Sequence, residues 1–160
     1  MATRLPSNTY NNLKLLSTFI KTSIDEIFDS LNLTKQDLIS HNILQAVKLH
    51  YEYVDNLAKY LSDELDWDPP SYTRCEFGKI YYSLDPNYIN SKYGDRAYDI
   101  FRRIEDAHIE FHKIGEDIID AYKTGDTEKI NRLILELSSK SRILIQMCKA
   151  FVSLLENPES

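Results

Sequence analysis

The chain has 160 residues, of which 42% are hydrophobic and 28% charged, and its net charge is −6 at pH 7. These values are typical of one folded domain with its own core, and they exclude bulk disorder. The excess of acidic residues argues against a nucleic-acid partner, because binding phosphates requires a basic face. No apolar run approaches the roughly 18 residues that a membrane span requires, so we expect no membrane insertion.

Cysteine, glycine and proline usage indicates the compartment and the fold class. The first residues, MATRLPSNTYNN, lack the charged and apolar regions of a secretory signal. The two cysteines, Cys75 and Cys148, are therefore expected to be free or metal-bound thiols in the cytoplasm. Only four glycines and five prolines are present, fewer than a sheet protein of this size normally needs for its turns. We expect an all-α fold.

Two long amphipathic helices are predicted in the first part of the chain, because apolar residues recur there at helical spacing. The stripe of the first helix contains Leu13, Leu16, Ile20 and Ile24. A short break is expected at residues 32–33, and Thr34 then offers a cap for the second helix. The stripe of the second helix contains Ile43, Val47, His50, Val54, Leu57 and Leu61. This helix should fade near Asp66.

An irregular connection is predicted at residues 66–95. Its first part, DWDPPSYTR at residues 66–74, contains two consecutive prolines and cannot continue a helix. A short element is expected at residues 76–83, and Asp85 with Pro86 should open another short turn. Long connections of this kind carry function more often than short ones do.

Two further long helices are predicted after the connection. The stripe of the third long helix contains Ala97, Phe101, Ile104, His108, Phe111, Gly115, Ile118 and Tyr122. Gly125 is a natural helix stop, and Asp126 should cap the last helix. The last stripe contains Ile130, Ile134, Leu137, Ser141, Leu144, Cys148, Phe151 and Leu155. We therefore expect an antiparallel four-helix bundle with an irregular, cysteine-containing connection between the second and third long helices.

Histidine and cysteine are scarce in the chain, and several of them lie where they could bind a metal. His108 and His112 are four residues apart on one predicted helix, a spacing that lets one helix supply two metal ligands. His50 lies on the apolar stripe of another helix, and Cys75 lies in the irregular connection. Three imidazoles and one thiolate form a donor set that suits zinc better than iron or manganese.

Each of these residues also has a simpler interpretation. His50 can be a hydrogen-bonded core histidine, the His108 and His112 pair can be solvated, and Cys75 can be a buried thiol. His41 falls off the main stripe and is expected at the surface, and Cys148 is expected to be a small core residue. On the helix of the pair, Glu105 is the best-placed carboxylate to support a metal ligand from outside the coordination shell.

Three segments of the chain, together with a serine at residues 138–141 before the last apolar stripe, resemble the chemoreceptor zinc-binding (CZB) domain family. The first is KLHYEY at residues 48–53, a histidine followed by an aromatic residue. The second is CEFGK at residues 75–79, and the third is AHIEFHKIG at residues 107–115, which contains the H-x-x-x-H motif. Their order and rough spacing agree with the family over about residues 35–156. The family often has tryptophan where this chain has Tyr53 and Ile80.

The resemblance implies a metal site, a function and partners. It implies one zinc ion ligated by His50, Cys75, His108 and His112. It also implies a non-enzymatic, cytoplasmic homodimer that senses zinc, or an oxidant such as hypochlorous acid through the zinc-bound thiolate, and signals to a chemoreceptor or a diguanylate cyclase. On this basis residues 34–156 form the CZB-like bundle, residues 1–33 an N-terminal amphipathic helix outside the resemblance, and residues 157–160 a frayed tail.

Two other functions remain compatible with the sequence. One is an adaptor bundle in which the zinc is permanent and structural. The other, less favoured, is a hemerythrin-like or ferritin-like di-iron protein, because Glu105 and His108 form one E-x-x-H motif. Such a di-iron site normally needs a second E-x-x-H motif or more histidines than this chain contains.

Overall fold

A computed structural model describes residues 7–30 and 38–156, and within these residues the chain is all-helical with no strand. The six helices are α1 (Ser7–Ser30), α2 (Leu38–Leu61), α3 (Glu76–Ser83), α4 (Pro86–Tyr93), α5 (Asp95–Lys123) and α6 (Thr127–Glu156). The all-α prediction is confirmed. The predicted break at residues 32–33, the Thr34 cap and the frayed tail at residues 157–160 lie outside the described residues.

Helix α2 ends at Leu61, five residues before the predicted end at Asp66. The cause is Asp63, whose φ of 61° puts the chain in the left-handed region that a helix cannot continue through. The N–H of Asp63 donates to the carbonyl of Tyr60 at 3.2 Å, and that of Glu64 donates to Lys59 at 2.9 Å. These hydrogen bonds satisfy carbonyls at the end of the helix.

The predicted irregular connection contains the two short helices, as expected. Asp85 caps α4 by accepting a hydrogen bond from the backbone N–H of Asn87 at 3.0 Å, and Pro86 is the first helical residue. Gly94, with φ of 94°, separates α4 from α5. At the other end of α5, Asp126 accepts from the N–H of Lys129 at 3.1 Å and caps α6, as predicted.

The long helices bury the stripes that the sequence predicts. Helix α5 packs along α6, α1 packs on α2 and α6, and α2 also contacts α5 and α6. The short helices cover this core from outside, α3 against α2 and α4 against α5. The largest fully buried side chains come from both halves of the chain and include Leu13, Ile43, Leu57, Phe101, Phe111 and Phe151. None of the helices in the described ranges combines the length and apolar character needed to cross a bilayer.

Candidate metal centre

Cys75 lies in the connection after α2, as predicted, immediately before the first residue of α3. It is the N-cap of α3, and its sulfur accepts a hydrogen bond from the backbone N–H of Gly78 at 3.2 Å. The turn before α3 brings the backbone carbonyl of Tyr72 so close to Gly78 that a Cβ at position 78 would collide with it. Position 78 therefore requires glycine, and the turn around it fixes where the sulfur lies.

The sulfur of Cys75 lies beside two imidazoles of α5. Its Sγ is 3.3 Å from Nε2 of His108, and Nε2 of His112 is 3.1 Å from the same His108 nitrogen. The ligand atoms of the three residues all lie within 4.8 Å of one another. His108 and His112 are buried, whereas Cys75 is partly exposed. Among the described residues, these three form the group that can hold a metal ion.

The spacing of these atoms fits a zinc ion. Zinc bonds of about 2.0–2.1 Å to nitrogen and about 2.3 Å to sulfur, at tetrahedral angles, separate the ligand atoms by roughly 3.3–3.6 Å. The observed separations of 3.3 Å and 3.1 Å are close to that range. Neutral imidazole and thiolate are the donors that zinc prefers, so the group fits the metal both in distance and in chemistry.

His50 lies near this group but outside it. Its ring is buried in the core, with the ring centroid 4.4 Å from that of Phe111. Its Nε2 is 3.0 Å from the hydroxyl oxygen of Ser141, a residue of α6 that is 0% exposed. The structure thus brings three of the four sequence-predicted ligands together and gives the fourth a serine partner.

Burial keeps all three histidines neutral. Desolvation, with a smaller effect of His112, lowers the pKa of His50 to about 3. Desolvation, with smaller effects of His112 and His50, lowers the pKa of His108 to about 2. Desolvation likewise lowers the pKa of His112 to about 4. At pH 7 the rings therefore keep lone pairs that can bind a cation.

The pKa of the Cys75 thiol is raised, whereas the pKa values of the histidines are lowered. Desolvation raises its pKa, and this outweighs the backbone N–H groups of α3, including that of Gly78, which favour the thiolate. Without a metal the sulfur therefore keeps its proton at neutral pH. A bound divalent cation would favour the thiolate, so metal binding should release one proton from this residue.

Aromatic rings pack against both histidines of the group. Phe77 packs on His108 with ring centroids 4.6 Å apart, and Tyr53 packs on His112 at 4.7 Å. Nδ1 of His112 has no hydrogen-bond partner among the described residues, and the backbone of Pro70 favours the protonated form of this ring. Metal-binding histidines usually donate the N–H of the second nitrogen to such an acceptor.

Some residues around the site have roles that the sequence pattern did not predict. Glu105, the expected supporting carboxylate, instead accepts a hydrogen bond from Tyr82 of α3 at 2.7 Å. Tyr81 donates to the backbone carbonyl of Phe101 at 2.6 Å, so two tyrosines hold α3 on α5. The sequence shows Ser141 as a polar residue on an apolar stripe, and the family resemblance includes a serine at residues 138–141.

The remaining candidates of the sequence lie where it predicted them. His41 is exposed, and Cys148 is buried in the core, where desolvation raises its pKa. Glu105 does not belong to the group of potential metal ligands within the described chain. The single E-x-x-H motif therefore does not supply a carboxylate ligand in this arrangement, which removes support from the di-iron alternative.

The described helices bring together one cysteine and two buried histidines, a group of the kind that holds a metal ion. The model of the chemoreceptor zinc-binding domain family matches residues 50–119, which confirms the resemblance over that stretch. The matched residues contain all four expected ligands and are fewer than the residues 34–156 expected from the sequence. Comparison with curated proteins and with solved structures gives no match. Zinc is the metal of this family, and the match indicates a zinc-binding sensory domain.

Proposed function

We propose that the chain is a cytoplasmic, non-enzymatic zinc sensor in which His50, Cys75, His108 and His112 bind one zinc ion. The observation that carries the proposal is the convergence of the Cys75 sulfur with the nitrogens of two buried imidazoles. The burial of His50 and its inclusion in residues 50–119, which match the family model, support it as the fourth ligand. Four protein ligands leave no open position for water, which disfavours hydrolytic chemistry.

The bound zinc would link elements from separate parts of the proposed four-helix bundle. Two ligands belong to α5, one to α2 and one to the start of α3, so occupancy would fix the position of α3 relative to the long helices. Structural zinc contributes about 10–16 kcal/mol of apparent binding free energy in small peptides, and a fraction of that is enough to shift a conformational equilibrium. Zinc level would thereby control the position of α3.

The partial exposure of Cys75 also suits oxidant sensing. A peroxide is a sufficient reagent: the thiolate sulfur attacks one oxygen, an S–O bond forms, the O–O bond breaks and hydroxide leaves. The resulting sulfenic acid is a poorer metal ligand than the thiolate. Oxidation would therefore release zinc and free the N-terminal end of α3, while the bonds of Tyr81 and Tyr82 to α5 hold its other half.

We propose that two copies associate through an apolar face formed by α1 and α6, named here the α1–α6 face. Leu15 is 67% exposed and Leu135 is 73% exposed on either side of a groove of about 590 Å³. The spacings of Asn12, Leu15 and Phe19 on α1 and of Asn131, Leu135, Ser138 and Arg142 on α6 follow heptad steps.

Charge favours a second copy as the occupant of this face. None of the residues that line the groove carries a carboxylate, although the chain as a whole has a net charge of −6. Two acidic copies could therefore meet here without facing carboxylates in the groove, and a two-fold arrangement would pair the face with itself. The expected signalling partner is a chemoreceptor or a diguanylate cyclase, as the family resemblance implies.

The proposal is tested by metal analysis of untreated protein, followed by the separate variants H50A, C75S, H108A and H112A. We expect one zinc per chain in wild type and a large loss of affinity in each variant. The matched control is H41A, which removes an exposed histidine and should retain full zinc binding. A wild-type protein without zinc affinity, or an unaffected C75S variant, would overturn the proposal.

A structural adaptor is the second candidate, favoured by the burial of His108 and His112 beneath aromatic rings. The rate at which the bound zinc exchanges distinguishes a structural adaptor from a zinc sensor. A permanent site should keep its zinc against a mild chelator for hours, whereas a sensor should exchange it within the range of cellular free zinc. Hydrogen peroxide should release zinc from a redox sensor, and that release should follow the oxidation of Cys75.

A further inference from the structure

The hydrogen bond between His50 and Ser141 has no role in the zinc site proposed above. Ser141 is fully buried in the middle of α6, on a stripe that is otherwise apolar. A buried hydroxyl is costly unless it has a partner, and the partner here is Nε2 of His50, 91 residues away along the chain. This contact connects α2 to α6, a helix outside the residues that match the family model.

The same nitrogen of His50 is the one that suits a metal. His108 and His112 approach each other through their Nε2 atoms, which are the atoms of a helical histidine that lie farthest from the backbone. Nδ1 is the ring nitrogen of His50 that lies nearer the backbone of α2. To reach the ligand atoms of Cys75, His108 and His112 through Nδ1, the ring would have to turn further than it would through Nε2. Since neither nitrogen of His50 joins the group at present, the ring must move to complete it.

We propose that Ser141 holds the fourth ligand in the metal-free state and competes with zinc for Nε2 of His50. This inference rests on the proposed four-ligand site. Zinc binding then requires the histidine to release Ser141, which leaves the serine hydroxyl in the core without its partner. Ser141 thus lowers zinc affinity and makes α6 sensitive to whether the metal is bound.

The consequence is a specific path from the site to the proposed dimer face. Helix α6 carries Ser141, and Ser138, about one turn before it, and Arg142, the residue after it, line the groove of the α1–α6 face. A change in the hydrogen bonding of Ser141 would therefore alter the helix that forms half of that face. No proposed ligand belongs to α6, and this hydrogen bond joins a proposed ligand directly to a side chain of that helix.

The decisive measurement is zinc affinity, determined by competition with a chromophoric chelator on the full metal-free chain. Removing the competing hydroxyl in S141A should tighten zinc binding roughly 3- to 10-fold, the effect expected of one net hydrogen bond. In an H50A background, the S141A substitution should change nothing further, because the coupling requires both side chains. The matched control is S40A, since the hydroxyl of Ser40 is equally buried but has no partner among the described residues.

An atom-specific readout covers the case in which S141A fails to fold. In wild type, ¹⁵N NMR of the His50 ring should show the metal-bound shift at Nε2 and a proton at Nδ1 after zinc is added. A metal-bound Nδ1 with a proton retained at Nε2 would overturn the inference, because Ser141 would then support the bound ligand.

The other outcomes separate this inference from the proposed function. An S141A variant with unchanged or weaker affinity would overturn the competition by Ser141 while leaving a zinc-binding wild type intact. An H50A variant that binds zinc as well as wild type would overturn the four-ligand site itself, and the inference with it.

Discussion

The sulfur of Cys75 lies 3.3 Å from Nε2 of His108, although the two residues belong to different helices and the cysteine is only partly buried. This pair combines the most accessible donor of the site with one of its most buried donors. The imidazole supplies a fixed neutral ligand, and the thiol supplies the one that protons and oxidants can reach. The chemistry of a sensor follows from that difference in access.

Removing zinc should destabilise the protein by a predictable amount. At a free zinc concentration 100-fold above the dissociation constant, binding adds about 2.7 kcal/mol to the free energy of unfolding. For a chain of this size that corresponds to a rise in Tm of roughly 5–11 °C, measured by circular dichroism with and without a chelator. The C75S variant should show a much smaller shift, and an equal shift would argue against the sulfur as a ligand.

Acid should destabilise the metal-free protein through its buried histidines. The pKa of His50 is lowered to about 3 and that of His112 to about 4, whereas in the unfolded chain both lie near 6.5. Between these values the unfolded state binds more protons, so the free energy of unfolding falls as the pH falls below about 6.5.

The size of this effect can be measured by urea denaturation at several pH values after zinc removal. Each neutral buried histidine should contribute up to about 1.4 kcal/mol per pH unit in that window. H50Q should reduce the slope, whereas H41Q should leave it unchanged because His41 is exposed. If H50Q keeps the full wild-type slope, His50 is not a neutral buried group.

Glycine at position 78 should be essential to the site. In G78A the added Cβ would meet the backbone carbonyl of Tyr72, so the turn that carries Cys75 must shift. We expect a loss of about 1–3 kcal/mol in the free energy of unfolding, together with weaker zinc binding in the chelator competition.

Gly94 provides the control for this substitution. G94A also changes a glycine next to a short helix, and its φ of 94° makes the substitution strained, but its Cβ meets no atom within 4 Å. G94A should therefore lower stability while leaving zinc affinity unchanged. A G78A variant with normal zinc affinity would show that the cysteine turn tolerates displacement.

A charge placed on the α1–α6 face should separate the proposed dimer. L135E introduces a carboxylate beside the groove, and in a two-fold pair the two carboxylates would lie in the same apolar interface. Light scattering should give twice the chain mass for wild type and the single-chain mass for L135E. L65E is the control, because Leu65 is also exposed but lies in the connection after α2. A monomeric wild type would contradict the dimer proposal.

The sequence by itself determined the helices and the chemistry of the donors. Apolar spacing predicted the buried faces of all four long helices, and local signals such as Asp85–Pro86 and Asp126 predicted helix starts, because capping depends on neighbours a few residues away. The early end of α2 was missed, since the left-handed φ of Asp63 has no strong sequence signal.

The tertiary structure alone decided which donors meet and which are held apart. Periodicity placed His50 and Ser141 on apolar stripes of different helices, but only the packing of α2 on α6 put their polar atoms 3.0 Å apart. Likewise, the one-turn spacing of His108 and His112 was readable from the chain, whereas the approach of Cys75 depends on how α3 docks on α5. Spacing along one helix is fixed by local geometry, but contacts between helices depend on the packing of the whole core.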